Sequence, residues 1–203
     1  MHPDDADWDA WRPEDVAAAF AGFDAPWAVA AGWAVELFLG AGVPGEARRE
    51  HEDLEVALPA VSFHRAAKRL AGLDFHVVCP GTAVPVGEAG ALLDAHHQTW
   101  GLDRSANRWR LDLFREPSDG DTWICRRDER IRLPYAELIE RSAEGIPYVR
   151  PEVVLLFKAK QARPKDEGDL AAVLPRLAPS RRRLLAGWLE LVHPGHFWLP
   201  DLA

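Results

Sequence analysis

At 203 residues the chain is long enough for one sizeable core, and a hydrophobic content of 48% excludes intrinsic disorder. The net charge of −8 argues against a general nucleic-acid binder, which would carry a basic stripe. The dense basic run is Arg181-Arg182-Arg183, with Arg126-Arg127 a smaller one.

Residues 1–12 are acidic and expected to be loosely held, with Trp8 and Trp11 as anchors. Pro13 suits a first helical turn, so a helix is expected from Glu14 to Phe23. Trp27 to Ala30 reads as a short strand and Gly32 to Leu39 as a short helix. The loop GAGVPGEARR is rich in breakers. Strands are then expected from Glu52 to Leu58 and from Phe75 to Cys79, separated by a helix from Val61 to Leu70. Thr82 to Val86 and Gln98 to Leu102 are weaker strand signals.

RWRLDLF, from Arg108 to Phe114, alternates polar and apolar residues as a half-buried strand does. Asp119-Gly120 marks a turn, and Trp123 to Cys125 with Arg130 to Leu133 suggests a hairpin. The last third is helical: Pro151 opens EVVLLFKAKQ, Pro164 breaks it, and helices follow from Lys165 to Leu174 and Arg181 to Val192. The expected fold is therefore α+β, a mixed sheet flanked by helices over 1–147, followed by a C-terminal helical subdomain over 148–203.

The chemistry lies in the acids. Asp53 and Glu55 stand two apart in an apolar run, and i and i+2 of a strand share a face. Two like charges on one face are tolerated when a cation sits between them. Asp112, between Leu111 and Leu113, is a third acid in an apolar strand. Transfer of a nucleotidyl group from a triphosphate needs such a cluster, because two divalent ions about 3.5–4 Å apart stabilise the attacking and leaving oxygens. Mg²⁺ takes hard oxygen ligands and keeps phosphate oxygens in its shell. Gly32, where a strand turns into a helix, would let the backbone approach a phosphate near free N–H groups. The competing reading of each feature is plain: a solvated acidic strand face and a turn glycine.

WAVAAGWAVELFLG, RREHEDLEVAL, RWRLDLF and RPEVVLLFKAKQARPKDEGDL together resemble the nucleotidyltransferase superfamily that includes DNA polymerase β, over roughly residues 25–192. Within it the chain looks most like aminoglycoside 2″-adenylyltransferase and lincosamide nucleotidyltransferase-like proteins. The resemblance implies Ala31 and Gly32 as the nucleotide-binding pair, and Asp53, Glu55 and Asp112 as catalytic metal ligands, Asp112 serving as ligand or general base. It implies two Mg²⁺ ions, a nucleoside triphosphate (ATP foremost) as co-substrate, and an antibiotic-type acceptor hydroxyl. Ala31 departs from the family's glycine, and Glu55 from the aspartate of its near relatives.

Lys158, Lys160, Arg163 and Lys165 fall within eight residues; the resemblance implies that Lys158 or Lys165 reaches the triphosphate. A solvated helix face with i, i+4 pairs is the alternative. The acidic composition suits a cationic small-molecule acceptor, with Glu36, Glu88 and Asp94 as candidate contacts. Other readings are an idle relative that binds nucleotide or partner, and a toxin-type enzyme acting on tRNA or protein. His96-His97 and His193–His196 lack metal-binding spacing, and His51 could approach a site carboxylate. No P-loop or serine-nucleophile motif is present. Cys79 and Cys125 read as reduced thiols. With no apolar leader and no stretch near the ~20 residues that span a bilayer, a cytoplasmic protein without membrane contact is expected.

Overall fold

The computed structural model describes residues 1–40 and 51–202, so the breaker-rich loop read at GAGVPGEARR lies, beyond Gly40, outside the described residues. In chain order the elements are β1 (Asp7–Trp8), α1 (Pro13–Ala19), β2 (Ala28–Val29), α2 (Ala31–Leu39), β3 (Glu55–Pro59), α3 (Phe63–Arg69), β4 (Asp74–Cys79) and β5 (Thr82–Pro85). They continue with α4 (Leu92–Ala95), β6 (Gln98–Asp103), β7 (Arg108–Glu116), β8 (Ser118–Asp119), β9 (Thr122–Ile124) and β10 (Arg132–Pro134). The last are α5 (Tyr135–Leu138), β11 (Ile139–Arg141), β12 (Pro147–Val149), α6 (Pro151–Lys158), α7 (Pro164–Val173) and α8 (Pro179–Val192).

β7 organises the main sheet. Its alternation sends Trp109, Leu111 and Leu113, all fully buried, to one face, and Asp112, Phe114 and Glu116 to the other. The sheet order is β11-β12-β2-β3-β7-β6-β4-β5, with β3 parallel to β7 and β6 antiparallel to it. The sheet is therefore mixed, as expected. β8, β9 and β10 form a small second sheet, and the expected hairpin pairs Trp123 with Leu133.

The first residues are held more firmly than expected. β1 pairs parallel with the start of β7, ahead of where β3 joins. The indole of Trp109 donates to the Pro3 carbonyl at 2.9 Å, and Trp8 meets Trp100 edge-on at 5.0 Å. Trp8 anchors the segment as expected; the pairing of β1 with the open edge of β7 was not expected.

Residues Pro151 to Leu156 of α6 are all buried, Glu152 being the one charged side chain among them, because the helix lies between sheet and helices. One hydrophobic core contains Val56 and Leu113 of the sheet, Leu155 of α6, Leu170 of α7 and Leu189 of α8. The change in sequence character near residue 148 falls inside β12, which pairs with β2 and leads into α6. Among the described residues no helix is long and apolar enough to cross a membrane.

Candidate active site

Short β2 ends at Val29, and α2 begins two residues later. The N–H of Ala30 donates to the Glu55 carbonyl at 2.8 Å, which ties the start of α2 to the start of β3. Register then places Glu55 opposite Asp112 on the parallel strand β7. The N–H of Asp112 donates to the Leu54 carbonyl at 2.8 Å. Asp53 lies just ahead of β3 rather than within it, yet it lines the same cleft as Glu55. The cleft has a volume of about 810 Å³; Ala31 and Gly32 border it beside Asp53 and Glu55, with α6 and α7 opposite.

The acids sense one another. Burial, then the charges of Asp53 and Asp112, push Glu55 well above the usual carboxylate range. Asp112 is pushed up to about 7, by burial first and by Asp53 in addition, against a hydrogen bond from Gln98. Burial also raises Asp53, opposed by a backbone hydrogen bond and by Lys165. Gln98 Nε2 donates to Asp112 Oδ2 at 2.7 Å, while the buried Asp112 Oδ1 has no hydrogen-bond partner.

Among the described residues no three His, Cys, Asp or Glu side chains form a ready metal cage. The donor set nonetheless fits a divalent cation: hard carboxylate oxygens, mutually repelling, one of them orphaned. Two or three protein carboxylates suffice when water and phosphate complete the shell.

The two candidate lysines differ. Lys158 Nζ binds Asp169 at 2.8 Å and Asp166 at 3.1 Å and is largely buried. Lys165 lines the cleft from the first turn of α7, and its charge acts on Asp53. Glu36, Glu88 and Asp94, expected as acceptor contacts, do not line the cleft: α2 carries Glu36 away from the helix start, Glu88 precedes α4 and Asp94 lies within it. His51 lines the cleft, stacks near Trp33 at 4.5 Å and approaches Glu36 at 3.8 Å. His196 bonds the Ala159 carbonyl.

Sequence reasoning passed over Gln98, Phe114, Glu116 and Arg126, which also line the cleft. Phe114 and Glu116 could have been found, since they stand at i+2 and i+4 from Asp112 on one strand face.

No family model matches the chain, and no curated protein matches it. Three solved structures are similar in fold. The lincosamide antibiotic adenylyltransferase LnuA bound to lincomycin aligns with a TM-score of 0.52 at 14% identity, covering 79% of this chain and 92% of that one. ANT(2″)-Ia in complex with adenylyl-2″-tobramycin gives 0.56 at 14%, covering 88% and 95%. The solution structure of ANT(2″)-Ia gives 0.52 at 14%, covering 85% of each. The chain thus has the nucleotidyltransferase-like fold of these antibiotic adenylyltransferases.

Proposed function

We propose that the protein transfers a nucleoside monophosphate from a nucleoside triphosphate, ATP foremost, to a hydroxyl of a small antibiotic-type acceptor in the cytoplasm. The register pairing of Glu55 with Asp112 beside the start of α2 carries this reading, with Asp53 just upstream. The fold neighbours crystallised with lincomycin and adenylyl-2″-tobramycin support a small acceptor.

Asp53, Glu55 and Asp112 would hold Mg²⁺, which when bound supplies charge stabilisation to the phosphates. The chain does the rest. The first N–H groups of α2 would face a phosphate, as free helix N-termini do. Lys165 adds a cation from the other wall, while Lys158 steadies Asp166 and Asp169 beneath it. Gln98 fixes one oxygen of Asp112 and leaves the other for a cation or for the acceptor's proton.

Ala31 favours a second reading, a weakened relative that binds nucleotide and turns it over slowly, because its φ of +48° is strained for a residue with a Cβ. Incubation with Mg²⁺, each labelled triphosphate and a panel of aminoglycosides, lincosamides and tRNA separates the readings. Acceptor-dependent pyrophosphate release is expected, reduced at least about 100-fold in Asp53→Ala and Asp112→Asn. Nucleotide binding without release supports the weakened relative, and label on tRNA or protein the toxin-type enzyme. Undiminished turnover in Asp53→Ala removes the metal assignment.

A further inference from the structure

From Glu55, whose register partner is the buried Asp112, the cleft runs in two directions. Toward the start of β3 lie Asp53, the opening turn of α2 and Lys165, the features suited to a triphosphate. Along β7 the other way, Phe114 and Glu116 follow Asp112 at about 7 and 13 Å of strand rise. Over that far end stands Arg126. Its guanidinium is 4.7 Å from the Phe157 ring centroid and 5.7 Å from that of Phe114.

Arg126 is held in place. Its Nε donates to both oxygens of Glu116, at 3.0 and 3.2 Å, and Trp123 Nε1 donates to Glu116 Oε2 at 3.0 Å. The Glu116 side chain is only 5% exposed, so its charge is engaged and shut away from an incoming ammonium group. The two Nη groups of Arg126 take part in no hydrogen bond among the described residues. A guanidinium fixed at one edge and lying over two aromatic rings offers its other edge as a planar fork, the shape that grips a carboxylate or phosphate.

We propose that Arg126, braced by Glu116 and the rings of Phe114 and Phe157, forms an oxyanion-binding subsite at the acceptor end of the cleft, which takes a carboxylate or phosphate group rather than an ammonium. The proposal rests on the nucleotidyl-transfer reading for the word acceptor; the oxyanion chemistry stands without it. The local field agrees. His97, at the same end, is held down to about 4 by burial first, and the smaller share that comes from Arg126 and Arg115 marks these two as the nearby cations. A polycationic acceptor, expected from bulk composition, meets the wrong sign here.

Calorimetric titration with inorganic phosphate tests this, on protein alone and on protein saturated with Mg²⁺ and a non-hydrolysable ATP analogue. Arg126→Gln removes the fork. Because it also strips Glu116 of its partner and could unfold the chain, Glu116→Gln/Arg126→Gln is measured beside it as a neutral pair. Phosphate is expected to bind both forms of the wild type, and to bind the variants at least about tenfold more weakly, with analogue affinity changed less than twofold. Competition between phosphate and analogue, with analogue binding weakened in both variants, assigns the oxyanion to the nucleotide and overturns the acceptor placement. Equal phosphate affinity in wild type and variants, or tobramycin binding that depends on Arg126, overturns the subsite. Failure of the analogue to bind the wild type counts against nucleotidyl transfer alone, since the phosphate titrations remain readable.

Discussion

Ala31 sits where β2 hands over to α2, with φ at +48°, a region where a Cβ crowds the neighbouring carbonyl at a cost of about 1–2 kcal/mol. The chain accepts this because Ala30 is tied to Glu55 and Gly32 is buried, so the turn has little freedom to relax. A glycine at position 31 would adopt the same turn without strain. Ala31→Gly is therefore expected to raise stability by about 1 kcal/mol, even after the added freedom of the unfolded chain is subtracted. Urea denaturation at matched pH reads the change. On the proposed function, if the strain also misplaces the N–H groups that would face a phosphate, the variant is expected to bind Mg²⁺-ATP more tightly. A loss of stability in Ala31→Gly would show that the turn is not strained.

Between elements, the helical third is locked to the sheet by a buried ionic network. Glu152 in the first turn of α6 is fully buried. It accepts from Arg150 at 2.8 Å and from two nitrogens of Arg181 on α8, one at 2.6 Å. Arg181 also reaches Glu140 of β11 at 2.6 Å, and the Tyr148 hydroxyl of β12 donates to the same carboxylate. Burial opposes ionisation of Glu152, but Arg181 and Arg150 outweigh it and hold its pKa below the usual 4.5. A folded value below the unfolded one means stabilisation that is complete above pH 4.5 and is lost as pH falls through the folded value. Glu152→Gln should cost about 3 kcal/mol at pH 7, with the gap to wild type shrinking below pH 4.5. Urea midpoints at several pH values measure it, and a gap that does not change with pH would place the stabilisation in packing. Arg181 belongs to the basic run noticed in the sequence, yet nothing local revealed its distant partners. The same limit applies throughout. α6, α8 and β7 were legible because each carries its own period or proline, β6 more weakly, and short β2, β9 and β10 because apolar residues stand beside turn signals, whereas β1, β11 and β12 were not and exist only through their neighbours. Asp53, Glu55 and Asp112 could be singled out as acids in apolar runs. Gln98 and Arg126 could not, because their roles come from a register and a loop that bring them to the cleft.

For the molecule as a whole the net charge is negative, although cations, several of them paired with acids, crowd the cleft wall. The chain carries −8, yet among the described residues six Lys and Arg line the cleft against four acids. A surplus of cations on the wall would balance a bound triphosphate, while Asp112, 2% exposed with one oxygen unpartnered, stays buried at the sheet face. Without nucleotide and cation that arrangement destabilises the fold: a buried, unpaired acceptor costs about 1–3 kcal/mol, and Asp53 and Glu55 add repulsion. Asp112→Asn keeps an oxygen for Gln98 to bond and removes the charge. The free variant is expected to be more stable than the free wild type by about 1–3 kcal/mol. On the proposed function, Mg²⁺ and ATP are expected to reverse the order. At a hundred times its Kd a ligand stabilises the protein it binds by about 2.7 kcal/mol, a gain the wild type would receive and the variant would largely forgo. Thermal melts of both proteins, with and without Mg²⁺-ATP, should therefore cross. Parallel melts, with the variant less stable in both conditions, would mean that Asp112 supports the fold and not a bound triphosphate.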